Sequence, residues 1–283
     1  IGRSNQYVQR IFSRNSWKQN GRFYGGWWQQ VGKSYRKDIM IDGSPTVEID
    51  YKGMHVAVLA SEQGVLMDDS YDWYTLGEIA VDGLDQASQR KALKLLVLTA
   101  INASSKEEAF KAYQLKRTSS KDKRTGLYEF PRLNKAQLDL LLSCFIEKHP
   151  YLEEGICSDR GIELMFMDSQ ITDIIITKFV EQNEPVLTIH DSYIVRADKA
   201  HLLEETMAEA TAVVFNNRLP AEQEGQLTPE QTMHVLNQFR QHDFDTYLDL
   251  VGKKINPPQH KPTQTNRYKN DYNKFNKWRE RQV

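Results

Sequence analysis

Two aspartates stand at the ends of β-like runs: Asp50 after Val47-Glu48-Ile49, and Asp191 after Thr188-Ile189-His190. Taken singly, an aspartate in such a place is ordinarily a turn or cap residue. Two of them meeting at one sheet edge would make a hard, oxygen-rich site suited to Mg²⁺. A pair of Mg²⁺ ions there could activate an attacking hydroxyl and stabilise a pyrophosphate leaving group, with Mn²⁺ as a possible substitute. Between the two acids in sequence lie Arg90 and Lys94, one turn apart on a helix face. Such a pair is commonly just a solvated face. A triphosphate nevertheless needs this combination, a guanidinium fork for the outer phosphates and an ammonium that can donate a proton to the leaving group.

The elements that must position these groups can be read from periodicity. Tyr7–Phe12 reads as a short helix and Gly21–Gln29 as a strand or extended segment. Thr46–Asp50 reads as a strand running straight into a helix-like stretch, Gly53–Glu62. Asp85–Ala103 carries Ala92, Leu93, Leu96, Val97 and Ala100 at helical spacing. Ser104 with Glu107 has the form of a capping box for a further helix to about Gln114. Asn134–Lys148 is amphipathic, and Asp168–Gln182 is a second apolar helix. Pro185–His190, a turn at Asp191-Ser192, and Tyr193–Arg196 form a hairpin signature with an acid at its tip. Helices follow at Lys199–Phe215 and Pro229–Gln241.

With 283 residues, 40% of them hydrophobic and 10% aromatic, the chain can bury a sizeable core and is not generically disordered. The 37 Lys and Arg balance 38 Asp and Glu, so total charge points to no partner. The distribution is uneven. From Lys253 to Val283 nine basic residues face two acids and are interleaved with Tyr268, Tyr272, Phe275 and Trp278. A second basic run spans Lys116–Arg124, and Arg3, Arg10, Arg14, Lys18 and Arg22 lie near the start. Such runs are usually solvated surface, but basic residues mixed with aromatics also supply phosphate contacts and base stacking. Two cysteines are too few for a disulfide framework. Apolar stretches such as Leu95–Ile101 fall far short of a membrane span, so a soluble, cytoplasmic protein is expected.

Four segments together resemble one family. Val47-Glu48-Ile49-Asp50-Tyr51 looks like motif A of the family A DNA polymerases. Arg90-x3-Lys94-x3-Leu98-Thr99-Ala100-Ile101-Asn102-Ala103 looks like their motif B. Ile189-His190-Asp191-Ser192 is similar to motif C, in wording closest to the single-subunit phage-type RNA polymerases. Gly21-Arg22-Phe23-Tyr24 resembles the Gly-Arg-x-Tyr element that precedes motif A in those enzymes. The four occur in family order between Gly21 and Arg196.

The resemblance implies an α+β right-hand polymerase: an antiparallel palm sheet, helical fingers, a reduced or missing thumb, and a basic C-terminal tail. The corresponding divisions are 1–52, 53–133, 134–252 and 253–283. It implies that Asp50 and Asp191 ligate two Mg²⁺ ions, assisted by the Tyr51 carbonyl, and that Lys94 is the general acid. Arg90 would bind phosphates, and Leu98 and Asn102 would lie near the incoming nucleotide. His190 would support the primer terminus, and Arg22 would touch a nucleic-acid phosphate. Arg160 and Gln170, around the helix before motif C, are further candidates for the primer strand. The implied partners are a DNA template and primer and nucleoside triphosphates.

Three departures qualify the pattern. Motif B ends in Asn102-Ala103 where the family has Tyr-Gly, which leaves fidelity and sugar choice open. His55 stands where the DNA polymerases carry a Glu gate against the 2′-hydroxyl and the RNA polymerases carry Gly. A bulky His favours deoxynucleotides modestly. Only 49 residues precede Asp50, too few for a full thumb and an exonuclease domain, so the expectation is removed upstream sequence, a protein partner that supplies the grip on duplex, or, if neither holds, low processivity. The alternatives are a single-subunit RNA polymerase or primase, and a silent nucleic-acid-binding subunit. Trp27 and Trp28 read as packing residues. His149, His201, His234 and His242 lack zinc-ligand spacing with the cysteines. Asp68, Asp69 and Asp72 read as a helix-start cap rather than a third metal site.

Overall fold

The computed structural model describes residues 5–65, 70–123, 125–225 and 227–242. The chain divides into two compact units, 1–231 and 232–283. The basic tail, Asp68 and Asp69, Arg3, Arg124 and the side chain of His242 lie outside the described residues.

The first unit is α+β. Strands β1 (Gln9–Ser13) and β2 (Ser16–Tyr24) form an antiparallel hairpin of their own. A short helix α1 (Lys33–Arg36) leads to β3 (Met40–Ile41) and β4 (Ser44–Tyr51). Helices α2 (Met54–Glu62), α3 (Gln86–Ile101), α4 (Lys106–Ser119), α5 (Lys135–Lys148) and α6 (Gly161–Glu181) follow. The second hairpin, β5 (Leu187–Ile189) and β6 (Ser192–Arg196), precedes α7 (Ala200–Phe215) and β7 (Ala221–Glu224), and α8 (Pro229–His242) runs from the end of this unit into the second. The sheet runs β3-β4-β6-β5, with β7 on the same side of β4 as β3 but toward its C-terminal half.

Alternation along β4 gives this sheet two unlike faces. Val47, Ile49 and Tyr51, with Tyr193 and Val195 opposite on β6, are buried. Helices α6 and α7 receive this face: the Tyr51 hydroxyl donates to the Met207 carbonyl (2.7 Å), and the Tyr193 hydroxyl shares a hydrogen bond with Thr172 (2.9 Å). Each such buried apolar side chain contributes about 1.5–3 kcal/mol. The opposite face carries Glu48, Asp50, Ser192, Glu222 and Glu224 at mutually paired positions. Its far end is closed by Trp28, Ile39 and Ile194.

The helices have the caps their sequences prescribe. Asp85 caps α3 by accepting from the Ser88 amide (2.6 Å), and Asn134 with Gln137 makes a full capping box on α5. Four expectations need correction. Tyr7–Phe12 is not helical: Gln9–Ser13 is a strand, because it pairs with β2 rather than packing an apolar helical face. The cap of α4 is Ser105, not Ser104, whose hydroxyl and amide instead bond the Glu108 carboxylate. Helix α6 starts at Gly161, a full two turns before Asp168. The turn of the second hairpin is His190-Asp191, since Ile189 pairs with Ser192.

Candidate active site

Asp50 is the last exposed-face residue of β4, and it pairs in register with Ser192 of β6. That pairing sets the turn residue Asp191 beside it, and the Tyr51 amide donates to the Asp191 carbonyl (3.3 Å). His190 makes the tight turn possible by taking a left-handed conformation (φ 58°). The two acids, nearly half the chain apart in sequence, thus share one end of the sheet. Burial, and next the Asp191 charge, push the Asp50 carboxyl up to about 8, with Glu224 adding to the rise and Lys94 and Lys33 opposing it. The ring of Tyr51 points into the core on the reverse face, so only its main chain belongs to this edge.

Helix α3 presents Arg90, Lys94, Leu98 and Asn102 as one exposed stripe at four-residue intervals. Lys94 lies within electrostatic reach of Asp50, and Arg90 within reach of Glu222. Both cations approach the ring of Tyr74, at 5.9 Å for Lys94 and 6.0 Å for Arg90. Asp72 grips Arg90 with both oxygens (2.6 and 3.1 Å). It also accepts from the Tyr74 amide and the Thr75 hydroxyl, and so caps a turn; no helix begins there, contrary to expectation. Tyr74 reaches the sheet side at Gly53, the left-handed residue (φ 58°) that starts α2. A Cβ there would come within 3.1 Å of Trp73 and 3.3 Å of the Tyr74 hydroxyl. The Asn102 side chain is folded back on its own helix, donating to the Leu98 carbonyl (2.7 Å).

A buried polar cluster lies behind the turn. Arg22 of β2 donates through Nε to Asp168 Oδ2 of α6 (2.5 Å), and its Nη2 lies 3.4 Å from His55 Nε2. The Arg22 side chain is 13% exposed and that of Asp168 is 0% exposed. Gly21 allows this approach: it has φ 78°, and a Cβ on it would sit 2.8 Å from the Ser169 hydroxyl. Burial raises Asp168 above the ordinary carboxylate range, and the nearby Arg22 opposes the rise. His55 falls to about 4, through burial first and Arg22 second, and is therefore neutral. Burial likewise lowers His190, whose ring meets Tyr24 edge-on at 5.4 Å. Asp168 Oδ1, His55 Nδ1 and His190 Nδ1 are buried without hydrogen-bond partners.

Arg22, expected on a nucleic-acid phosphate, is therefore engaged inside the protein. Arg160 is likewise committed, to Glu62 (2.6 and 3.0 Å) and Glu163 (3.1 Å). Gln170 is exposed on α6. Trp28 is buried and donates to the Thr188 carbonyl (2.9 Å), and His149 is a fully buried core residue bonded to Tyr151 (2.8 Å) and the Trp73 carbonyl (3.2 Å). In the basic run, Arg117 lies over the Tyr128 ring at 4.0 Å.

Sequence reasoning missed Asp168, Tyr74 and the acids around Asp50. Glu48 is held by Arg36 (2.7 and 2.9 Å) and by the Ser192 hydroxyl (2.8 Å), while Glu222 and Glu224 pair with Lys52 and Lys33. Among the described residues, no group of three or more His, Cys, Asp and Glu is arranged to hold a metal ion. The Asp50–Asp191 edge offers two hard carboxylates, of which Asp50 is raised first by burial and then by the Asp191 charge. That donor set fits Mg²⁺, which binds through one or two carboxylates and completes its shell with substrate phosphates and water. Among the described residues no helix is long and apolar enough to cross a membrane. No protein-family model matches this chain, and no curated protein matches it either.

Proposed function

We propose that this chain is a template-directed nucleotidyltransferase that adds deoxynucleotides to a primer 3′-hydroxyl, in the manner of a compact family A DNA polymerase. One observation carries the reading: Asp50 and Asp191 share a sheet end, and the Arg90–Lys94 stripe of α3 is electrostatically coupled to that same acidic face. Asp50 and Asp191 would hold Mg²⁺, which when bound supplies Lewis-acid activation of the hydroxyl and of the phosphates. Arg90 would take the outer phosphates through its guanidinium fork, exchanging them for the Asp72 carboxylate. Lys94 would give its proton to the departing pyrophosphate. Leu98, next on the stripe and 45% exposed, would offer an apolar surface to base or sugar. A DNA template and primer, and a protein partner in place of a thumb, complete the assembly.

A second reading, RNA synthesis or priming, is favoured by the placement of His55. The residue is 8% exposed and its ring is turned against Arg22, so it offers little bulk to exclude a 2′-hydroxyl. Primer extension with Mg²⁺ and either deoxy- or ribonucleotides, with and without primer, separates the two. In either case Asp50→Asn should abolish incorporation while nucleic-acid binding persists. An Asp50→Asn protein that still incorporates would refute the assignment.

A further inference from the structure

Arg22 brings a guanidinium into the protein within electrostatic reach of Asp191, and it also lies against His55. A buried cation needs a carboxylate, because an unpaired charge out of water costs several kcal/mol. Two carboxylates are within its influence, and the geometry selects one: Nε lies 2.5 Å from Asp168 Oδ2. Asp168 is itself wholly buried, and its other oxygen has no partner, so the carboxylate has no function in satisfying a helix end or a turn. It sits eight residues into α6, far from the first turn. One turn on, Thr172 bonds the Tyr193 hydroxyl (2.9 Å) and the His190 carbonyl (3.4 Å). The same helix face therefore holds β2 by its arginine and the Asp191 turn by its backbone.

We infer that Asp168 is a positioning residue for the carboxylate edge: by neutralising Arg22 it keeps that guanidinium from closing onto Asp191, and so leaves Asp50 and Asp191 open to a divalent cation. The inference rests on reading that edge as the cation site. Were Asp191 the counterion of Arg22, the edge would lose one of its two negative charges to an internal partner, and a dication would have to compete with a tethered guanidinium. The pair Arg22–Asp168 is thus electrically silent toward the cation, whereas Arg22 alone would not be.

The test is Mn²⁺ binding to the full chain, measured by electron paramagnetic resonance of the free ion, with no nucleotide or nucleic acid present. Asp191→Asn defines the site by the binding it removes. Asp168→Asn should weaken Mn²⁺ at that site by about tenfold or more, since it frees a unit positive charge within electrostatic reach of Asp191. Arg22→Gln should bind at least as tightly as the unaltered protein. The double variant Asp168→Asn with Arg22→Gln should recover the affinity lost in Asp168→Asn, a rescue that a merely structural role for Asp168 would not give. Because the double variant leaves no buried charge unpaired, it stays informative if Asp168→Asn alone folds poorly. Unchanged binding in a folded Asp168→Asn, or a double variant that binds weakly, would overturn the inference and leave the cation site standing. If the unaltered protein has no binding that Asp191→Asn removes, the reading of the edge itself fails, and the inference with it.

Discussion

Two arginine–aspartate pairs flank the carboxylate edge, and they differ in almost everything but chemistry. Arg22–Asp168 and Arg90–Asp72 have contacts of 2.5 and 2.6 Å. The first pair is 13% and 0% exposed, and the second is 45% and 33% exposed. In the first, water cannot replace either partner, so the pair behaves as one fixed, neutral object. In the second, Asp72 is anchored by its own turn while Arg90 stands on an open helix face, free to trade a carboxylate for a phosphate at small cost. Distance does not separate a strut from a substrate-binding group here. Solvent access does.

The sharpest way to break this comparison is to remove each acid. Asp168→Ala leaves a buried guanidinium without its partner and should cost about 3–5 kcal/mol of folding stability. Urea unfolding followed by circular dichroism measures it, and a loss under about 1 kcal/mol would mean the pair is not the strut described. Next in size, Arg90→Ala should raise the KM for the triphosphate roughly 10–100-fold in steady-state incorporation, the worth of a charged hydrogen bond of about 1.5–3 kcal/mol. The pH dependence of stability sharpens the picture of the edge between the two pairs. In the folded, cation-free protein Asp50 is raised to about 8, so between about 4 and 8 the folded state holds a proton that the unfolded state has lost. Stability should therefore fall as pH rises across that window, and Asp50→Asn should flatten the slope in thermal melts with a chelator present. The smallest effect is expected from Asp72→Asn, under about 1 kcal/mol in the same urea experiment, because an exposed pair contributes little.

How much of this was legible in the sequence depended on whether local chemistry decided the outcome. The helices opening at Asp85 and Asn134 were readable from their apolar spacing, and each start is fixed locally by a side chain and an amide three residues on. Asp50 and Asp191 were readable because β-rich runs ending in an acid are local patterns too. Asp168 was not, for an instructive reason: an aspartate ahead of Ile171, Ile174 and Ile175 looks like a helix start. Only the preceding turns, from Gly161 with Leu164 buried, put it in mid-helix on the apolar face. The signal lay in the spacing Leu164, Asp168, Ile171, Thr172, Ile175, which places a lone acid within a buried stripe. Tyr7–Phe12 failed as a helix because the strand partner of Gln9–Ser13 is what decides its conformation. The turn at His190-Asp191 was displaced by one residue, since a left-handed histidine is rarer than a left-handed asparagine or glycine.

The grip of α6 on two strands at once has a consequence for how the molecule tolerates change. Asp168 and Thr172 are spaced one turn apart, and adding a single residue upstream of them in the helix would swing both by about 100°. The arginine of β2 and the backbone of the acidic turn would then lose their holds in one stroke. Insertions, chain breaks or circular permutations placed between Gly161 and Ile175 should therefore be far less forgiving than equally large edits at the exposed residues 125–128.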